Sequence, residues 1–281
     1  MEEHIAQLIY DYIKHKKNID FFINDTIKMI IEYLHLEEYI KDIKPLIHKT
    51  ALARYNIATK TLYINYQKIF VYSQNIMKID FPNSNPSLSS KYIILTQILM
   101  HEIKHVLQHK QTIEQKSAES IILHEDLNVV NYIISEVEAG NISILKGFYK
   151  VFERKKIYNK LYEYSPSERL AEIDSAKTAF TIAEKLRDEA TSILMLLKYY
   201  ESHLSGYNVG IEQSKSNEPT KFYLDSINGN PRWEEIVALS KNLSQIHRIR
   251  LGLKANPNEL QKIASKCHTL SLILNKHKTG F

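Results

Sequence analysis

The small number of turn-forming residues constrains the fold of this chain more than any other feature of its sequence. Only seven glycines and seven prolines are spread over 281 residues. A protein made of many short strands needs frequent glycine and proline at its turns, whereas long helices need few. The hydrophobic share of 44% is enough to form a buried core. We therefore expect a predominantly helical α+β protein.

One short stretch departs from the helical pattern. Residues 53–64 carry apolar side chains on both sides of the polar turn Thr59-Lys60-Thr61, which predicts a β-hairpin. A loop at 80–90, rich in Ser and Asn, ends in good helix-capping residues. Apolar residues then recur with helical period over residues 91–112, so we expect a helix there.

The remaining pattern divides the chain into three segments. We expect an N-terminal helical segment at 1–46, a core at 47–205 and a C-terminal helical region at 206–281. Residues 206–220 predict a linker or an exposed loop. The other helices that the periodicity predicts are at 116–138, 143–162, 166–204, 231–251 and 257–276.

The sequence carries no sign of export or of a membrane span. Cys267 is the only cysteine, which excludes an internal disulfide and suits a reducing compartment. The acidic N-terminus lacks the basic start and apolar stretch of a secretory signal, and no apolar run is long enough to cross a bilayer. We expect a cytoplasmic protein. The net charge of +5 comes from scattered Lys and Arg and does not require an acidic partner.

The motif with the clearest chemistry is His101-Glu102-Ile103-Lys104-His105, inside the helix predicted at 91–112. Residues four apart on a helix lie one above the other, so His101 and His105 can present two imidazoles to one tetrahedral Zn²⁺. The carboxylate of Glu102 can take a proton from a water that the zinc has acidified. Lys104 points away from the apolar face of this helix, and we expect it to be solvated.

A catalytic zinc site needs a third protein ligand. His109 follows His105 by four residues, but an unbroken helix carries it about 6 Å further along the axis, so we expect it at the surface. Glu168 and Glu172 are better candidates, because they lie four apart at the start of a predicted helix. Ser165-x-x-Glu168 is also a capping box, and Glu172 can instead orient a ligating histidine. Both glutamates stay open as the third ligand.

These segments together resemble the zincin metallopeptidases, and in particular small intracellular gluzincins of the ImmA/IrrE-like kind. The resemblance covers the strand pair at 53–64, the helix of His101 and His105, and the segment Pro166-x-Glu168-x-x-Ala171-Glu172. It implies a zincin-like core in which a hairpin edge strand lies beside the active helix and binds substrate as an added strand. It also implies that Glu168 completes the zinc site and that Glu172 supports it.

The hypothesis that follows is a zinc metalloendopeptidase acting on a protein or peptide substrate. Zinc would polarise the scissile carbonyl, and Glu102 would activate the water and pass its proton to the leaving amine. No second histidine motif is evident for stabilising the transition state, but Tyr158, Tyr162 or Tyr164 can serve as the oxyanion donor. The sequence names neither the substrate nor the oligomeric state, and the flanking helices can be a lid, a prosegment or a docking surface.

Two other hypotheses compete with this one. The chain can be a helical regulatory or nucleic-acid-binding module with an inactive motif, because Arg248, Arg250 and Lys254 flank Gly252 between two helical patterns in residues 244–266. Any two amphipathic helices joined by a short turn look like this, so we do not expect nucleic acid as the partner. A purely structural zinc site would need four protein ligands, whereas the sequence offers three.

Overall fold

The computed structural model describes residues 1–47, 52–80, 87–115, 166–215 and 257–279. These residues form seven helices and one three-stranded sheet, which confirms the predominantly helical α+β class. In chain order the elements are α1 (Glu2–Lys14), α2 (Ile19–Leu34), β1 (Asp42–Pro45), β2 (Ala53–Asn56), β3 (Thr61–Ile64), α3 (Tyr66–Asp80), α4 (Leu88–Gln115), α5 (Pro166–Lys185), α6 (Glu189–Lys215) and α7 (Pro257–Thr279). The helices predicted at 116–138, 143–162 and 231–251 lie outside the described residues. None of the described helices has the length and apolar character that crossing a membrane requires.

The hairpin predicted at 53–64 is present as strands β2 and β3. The strands pair antiparallel, with Ala53 opposite Ile64. In the turn between them, the backbone N–H of Thr59 donates a hydrogen bond to the side chain of Asn56 at 3.1 Å. Asn favours such turns because its side chain can bond its own backbone. Local sequence therefore accounts for this part of the sheet.

Strand β1 is a correction to the predicted N-terminal segment. The sequence assigned residues 42–45 to a helical region, but they pair parallel with β3, with Asp42 opposite Thr61. The sheet order is accordingly β1-β3-β2, with β1 and β2 at its edges. Pro45 is compatible with an edge strand, where a missing N–H donor is tolerated. The pairing depends on a partner later in the chain, which a local periodicity does not reveal.

Helix α4 is confirmed over the predicted range 91–112 and is longer than expected at both ends. It begins after Ser87, whose hydroxyl accepts the N–H of Ser90 at 3.2 Å as an N-cap. The side chains on its apolar face are buried in the hydrophobic core: Ile94, Leu95, Ile98, Leu99, Ile103 and Val106. Each such side chain stabilises the fold by about 1.5–3 kcal/mol. This burial fixes the face on which α4 carries its polar residues.

The single helix predicted at 166–204 is wrong in its middle. The chain breaks between α5 and α6, where Arg187 adopts a positive φ of 54°. Helix α6 then continues through Lys215, so the predicted linker at 206–220 is helical over 206–215, and 216–220 lie outside the described residues. An isolated glycine costs a helix only about 1 kcal/mol, which explains why Gly206 does not end it.

Asp188 joins the start of α6 to the start of α4. One carboxylate oxygen accepts the backbone N–H of Thr191 at 3.2 Å. The other accepts the hydroxyl of Ser87 as well as those of Ser89 at 2.8 Å and Ser90 at 2.9 Å. Asp188 is only 7% exposed, and a buried carboxylate is tolerated when donors replace the lost water. One side chain therefore fixes the beginnings of two helices.

His109 is buried, which corrects the expectation that it lies at the surface. It is 6% exposed, and its Nδ1 lies 3.0 Å from the hydroxyl of Tyr55 on β2. That hydroxyl donates its proton to the carbonyl oxygen of Tyr39 at 2.9 Å, so Nδ1 of His109 is the donor in the other contact. The expectation was based only on the distance between His109 and the metal, and it did not include the sheet that covers this turn of α4. The contact ties the hairpin to the helix that carries the motif.

The chain divides into two compact units, each made of separate stretches. The first unit contains Met1–Lys110, Ala171–Glu201 and Ala264–Phe281, and the second contains Gln111–Leu170 and Ser202–Ile263. The main cluster of buried apolar side chains in the described residues belongs to the first unit. The division into segments at 1–46, 47–205 and 206–281 stays a prediction.

Replacing Asp188 should destabilise the first unit. Asp188→Ala leaves four donors without their acceptor, and hydrogen bonds to a charged group contribute about 1.5–3 kcal/mol each, partly regained from water. We expect the free energy of unfolding in urea to fall by about 2–4 kcal/mol. As a control, Asp11→Ala removes only a solvent-exposed hydrogen bond from Gln7 and should cost less than about 0.5 kcal/mol. Equal losses in the two variants would contradict the role of Asp188.

Tyr55 should make stability fall at high pH. Burial, with Tyr39 nearby, raises the pKa of Tyr55 from 10.0 to about 12. A group whose pKa is higher in the folded state stabilises the fold fully at pH values below its unfolded pKa. This contribution is lost as the pH rises through its folded pKa. The stability difference between wild type and Tyr55→Phe, from denaturation at a series of pH values, should be constant below pH 10 and shrink towards pH 12. A difference that stays flat over this range would argue against a buried hydroxyl.

Candidate metal centre

Helix α4 places His101 and His105 side by side, as the four-residue spacing predicts. Their ring centroids are 5.1 Å apart, and the rings are nearly perpendicular. His105 is buried and His101 is partly exposed. The pair therefore lies at the margin of the core, where one ring is shielded from water and the other is accessible.

Glu168 is the third member of this group. It lies in the first turn of α5, which begins at Pro166, a residue whose fixed φ suits the first helical position. Donor atoms of His101, His105 and Glu168 all lie within 4.8 Å of one another. Glu168 is 8% exposed, and glutamates are rarely buried to this degree unless they are paired. Ser165, the partner in the predicted capping box, lies outside the described residues.

Glu172 contacts a histidine rather than joining the group of donors. Its Oε2 lies 3.2 Å from Nδ1 of His101. Burial by itself raises the pKa of the Glu172 carboxyl, but the hydrogen bond and charge of His101, with Lys198 and Gln97, outweigh burial and lower that pKa. An ionised carboxylate at this place favours a proton on Nδ1 of His101. The other ring nitrogen, Nε2, is then the one suited to bind a metal.

His105 has a comparable partner within its own helix. Its Nδ1 lies 3.0 Å from the side-chain oxygen of Gln108, one turn further along α4. An amide oxygen accepts a hydrogen bond, so this contact also places the proton on Nδ1. In both histidines these contacts favour the tautomer that presents Nε2 as the ligand atom.

Gln97 is a buried polar residue that the sequence analysis did not single out. It lies one turn before His101 on α4 and is 4% exposed. Its Nε2 lies 3.2 Å from each carboxylate oxygen of Glu172 and 3.3 Å from the hydroxyl of Ser175. A glutamine one turn before a ligating histidine, within an otherwise apolar stretch, is the signal that could have identified it.

Glu102 and Lys104 lie between the two predicted histidine ligands in the sequence, and their environments differ. Glu102, the predicted general base, is partly buried beside His101. Lys104, expected to be solvated, is 24% exposed and forms an ion pair with Asp174 of α5 at 3.2 Å, so it is only partly solvated. Asp174 was not identified because the pairing of α4 with α5 is a tertiary contact. The predicted oxyanion donor Tyr164, with Tyr158 and Tyr162, lies outside the described residues.

The donor set fits a zinc ion. Two imidazoles and one carboxylate are ligands that zinc accepts, and catalytic zinc sites keep a fourth position for water or substrate. Bonds of about 2.0–2.2 Å need ligand atoms closer together than the 4.8 Å limit of this group, which rotation of the side chains can provide. Among the described residues the group has three members, the number of protein ligands that a catalytic zinc site uses.

Comparisons with known proteins do not assign the chain to a family. No protein-family model matches the sequence, no curated protein matches it, and no solved structure matches the fold.

Proposed function

We propose that this chain is a zinc-dependent peptidase, with His101, His105 and Glu168 as metal ligands and Glu102 as general base. The observation that supports it most directly is that two histidines of α4 and a glutamate of α5 bring their donor atoms within 4.8 Å of one another. Glu102 directly follows the first of these histidines. The described residues supply three protein ligands, which is the number that a catalytic zinc site uses, whereas a closed structural site takes four.

In this proposal each residue of the site has a separate role in peptide hydrolysis. Zinc, when bound, supplies a Lewis acid that polarises the peptide carbonyl and lowers the pKa of water. Glu102 accepts the proton of the attacking water and delivers it to the nitrogen of the leaving amine, so its carboxylate is regenerated in each cycle. Glu172 and Gln108 hold the rings of His101 and His105, each through Nδ1.

The sheet supports a peptide as the substrate. Strand β2 lies at an edge of the sheet and is tied to α4 by the contact between Tyr55 and His109. An extended peptide can add to such an edge through backbone hydrogen bonds. We propose that a protein or peptide binds along this edge, in line with the zincin-like core that the sequence resembles. A cytoplasmic location stays a prediction.

The alternative of a nucleic-acid-binding module receives no support from the described residues. The predicted turn at Gly252, with the rest of residues 244–256, lies outside them, and residues 257–266 form the beginning of α7. Exposed side chains predominate over this part of α7 where burial is described. The peptidase hypothesis, in contrast, is supported by the group of possible metal ligands.

Removing a ligand should abolish zinc binding. We expect wild type purified without added metal to hold about one zinc per chain, and His101→Ala and Glu168→Ala to hold almost none, because two remaining ligands bind zinc weakly. Glu172→Ala should keep the site but bind zinc about 10- to 100-fold less tightly, since residues that orient a ligand have effects of this size. Metal content by mass spectrometry and chelator competition measure these quantities.

A matched control for the glutamate variants lies on the same helix. Glu184 is exposed on α5, and Glu184→Ala should hold zinc as wild type does. If wild type takes up no zinc, the proposed function fails. If Glu172→Ala loses zinc while Glu168→Ala keeps it, the peptidase proposal stands but the third ligand is wrongly assigned.

Replacing the general base should separate metal binding from catalysis. Glu102→Gln keeps the size of the side chain but cannot take a proton from water, so hydrolysis of a fluorogenic peptide library should fall by about 10²- to 10⁴-fold. Zinc content should stay near that of wild type. Glu114→Gln, an exposed position on the same helix, is the control and should keep full activity. Equal activity of Glu102→Gln and wild type would exclude Glu102 as the base.

A further inference from the structure

The contacts of Gln97 differ from those of an ordinary buried glutamine. Its Nε2 carries two protons and faces three acceptors, the two carboxylate oxygens of Glu172 and the hydroxyl of Ser175. Ser175 donates its own proton to the carbonyl of Glu172 at 3.0 Å, which leaves its oxygen free to accept from Gln97. The donors and acceptors of this group are therefore mutually consistent.

The contact with both oxygens matters for the geometry of the carboxylate. The terminal torsion of a glutamate has a broad, roughly two-fold energy profile, so a carboxylate held at one oxygen can still rotate. Gln97 approaches both oxygens of Glu172 at 3.2 Å, and Oε2 also contacts His101. The amide thus restricts the rotation that would carry Oε2 away from the histidine.

The burial of Gln97 would be costly if its side chain made no hydrogen bonds. Gln97 is 4% exposed, and a buried amide without hydrogen bonds costs about 1–3 kcal/mol. An apolar residue would fill the position without that cost if packing alone mattered. Gln97 also lies one helical turn from His101 on α4. The rigid helix therefore fixes the distance between the Gln97 amide and the His101 ring, which Glu172 contacts.

We propose that Gln97 is a positioning residue of the metal centre, which acts through Glu172 to hold the ring of His101 with Nε2 towards the metal. This inference rests on the proposed function. It places three residues in series, Gln97, Glu172 and His101, of which only the last would touch zinc.

The first test is the zinc affinity of two variants at this position, measured by chelator competition. Gln97→Met keeps the length of the side chain without its donor, and zinc should bind about three- to tenfold less tightly, somewhat less than for loss of a direct partner. Gln97→Glu replaces the donor by a second acceptor beside Glu172 and should weaken binding at least as much. Thr96→Val, at a buried neighbour whose hydroxyl donates to the Tyr92 carbonyl at 2.9 Å, is the control and should leave affinity unchanged.

A double-mutant cycle separates positioning from a merely structural role. If Gln97 acts through Glu172, the effect of Gln97→Met on zinc affinity should shrink to less than about twofold when Glu172→Ala is already present. An undiminished effect in that background would overturn the proposal. So would wild-type affinity in both Gln97 variants while wild type itself binds zinc.

The tautomer of His101 gives a readout that needs no metal. In metal-free wild type, nitrogen-15 chemical shifts of the ring should show the proton on Nδ1, and in Gln97→Met part of the population should carry it on Nε2. An unchanged tautomer would overturn the inference even if the protein took up no zinc. Failure of wild type to bind zinc, with a shifted tautomer in the variant, would contradict the proposed function alone.

Discussion

The polar contacts between α4 and the body of α5 are the interaction on which the candidate site depends. Gln97 and His101 of α4 meet Glu172 and Ser175 of α5, and Lys104 pairs with Asp174. Most helix pairs are joined by apolar side chains, but here the two helices present donors and acceptors to each other. Such a network is stable only if its members are satisfied together, because each group left without a partner in a low dielectric is costly. The same requirement makes the geometry of the contact specific.

The positions of the two glutamates on α5 explain why two carboxylates can lie near the histidines. Glu168 lies in the first turn of α5, where the partial positive charge of the helix N-terminus favours an anion. Glu172 lies one turn later, away from the partial positive charge of the helix N-terminus, and is stabilised instead by His101 and Gln97. The two glutamates of the same helix thus have different partners, and this difference distinguishes a proposed ligand from a residue that supports one.

The sequence predicted what depends on local spacing and missed what depends on contacts between distant segments. The spacing of His101 and His105 follows from the helical repeat alone, and the hairpin follows from its own turn. Glu168 lies far along the chain, and only the resemblance to gluzincins selected it over Glu172. Gln97 has no local signature apart from its polarity, and its partners on α5 come from tertiary packing.

The errors have the same physical origin. His109 was expected at the surface because the helix carries it away from the metal ligands, yet the sheet covers this part of α4. Strand β1 was assigned to a helical segment because its pairing with β3 is non-local. The break at Arg187 was missed because a residue with positive φ that is not glycine leaves little trace in the sequence.

The carboxylate of Asp188, which accepts hydrogen bonds at the beginnings of α4 and α6, also has a consequence for the order of folding. Ser87 and Ser90, which open the helix of the proposed metal ligands, bond a residue about a hundred positions later. A contact between segments so far apart forms only after a long loop has closed, which is slow compared with helix formation. When only α4 has left the ribosome, the helix of the proposed metal ligands has therefore been produced, but its first turn still lacks its acceptor. The first turn of this helix is completed only after the beginning of α6 has been synthesised.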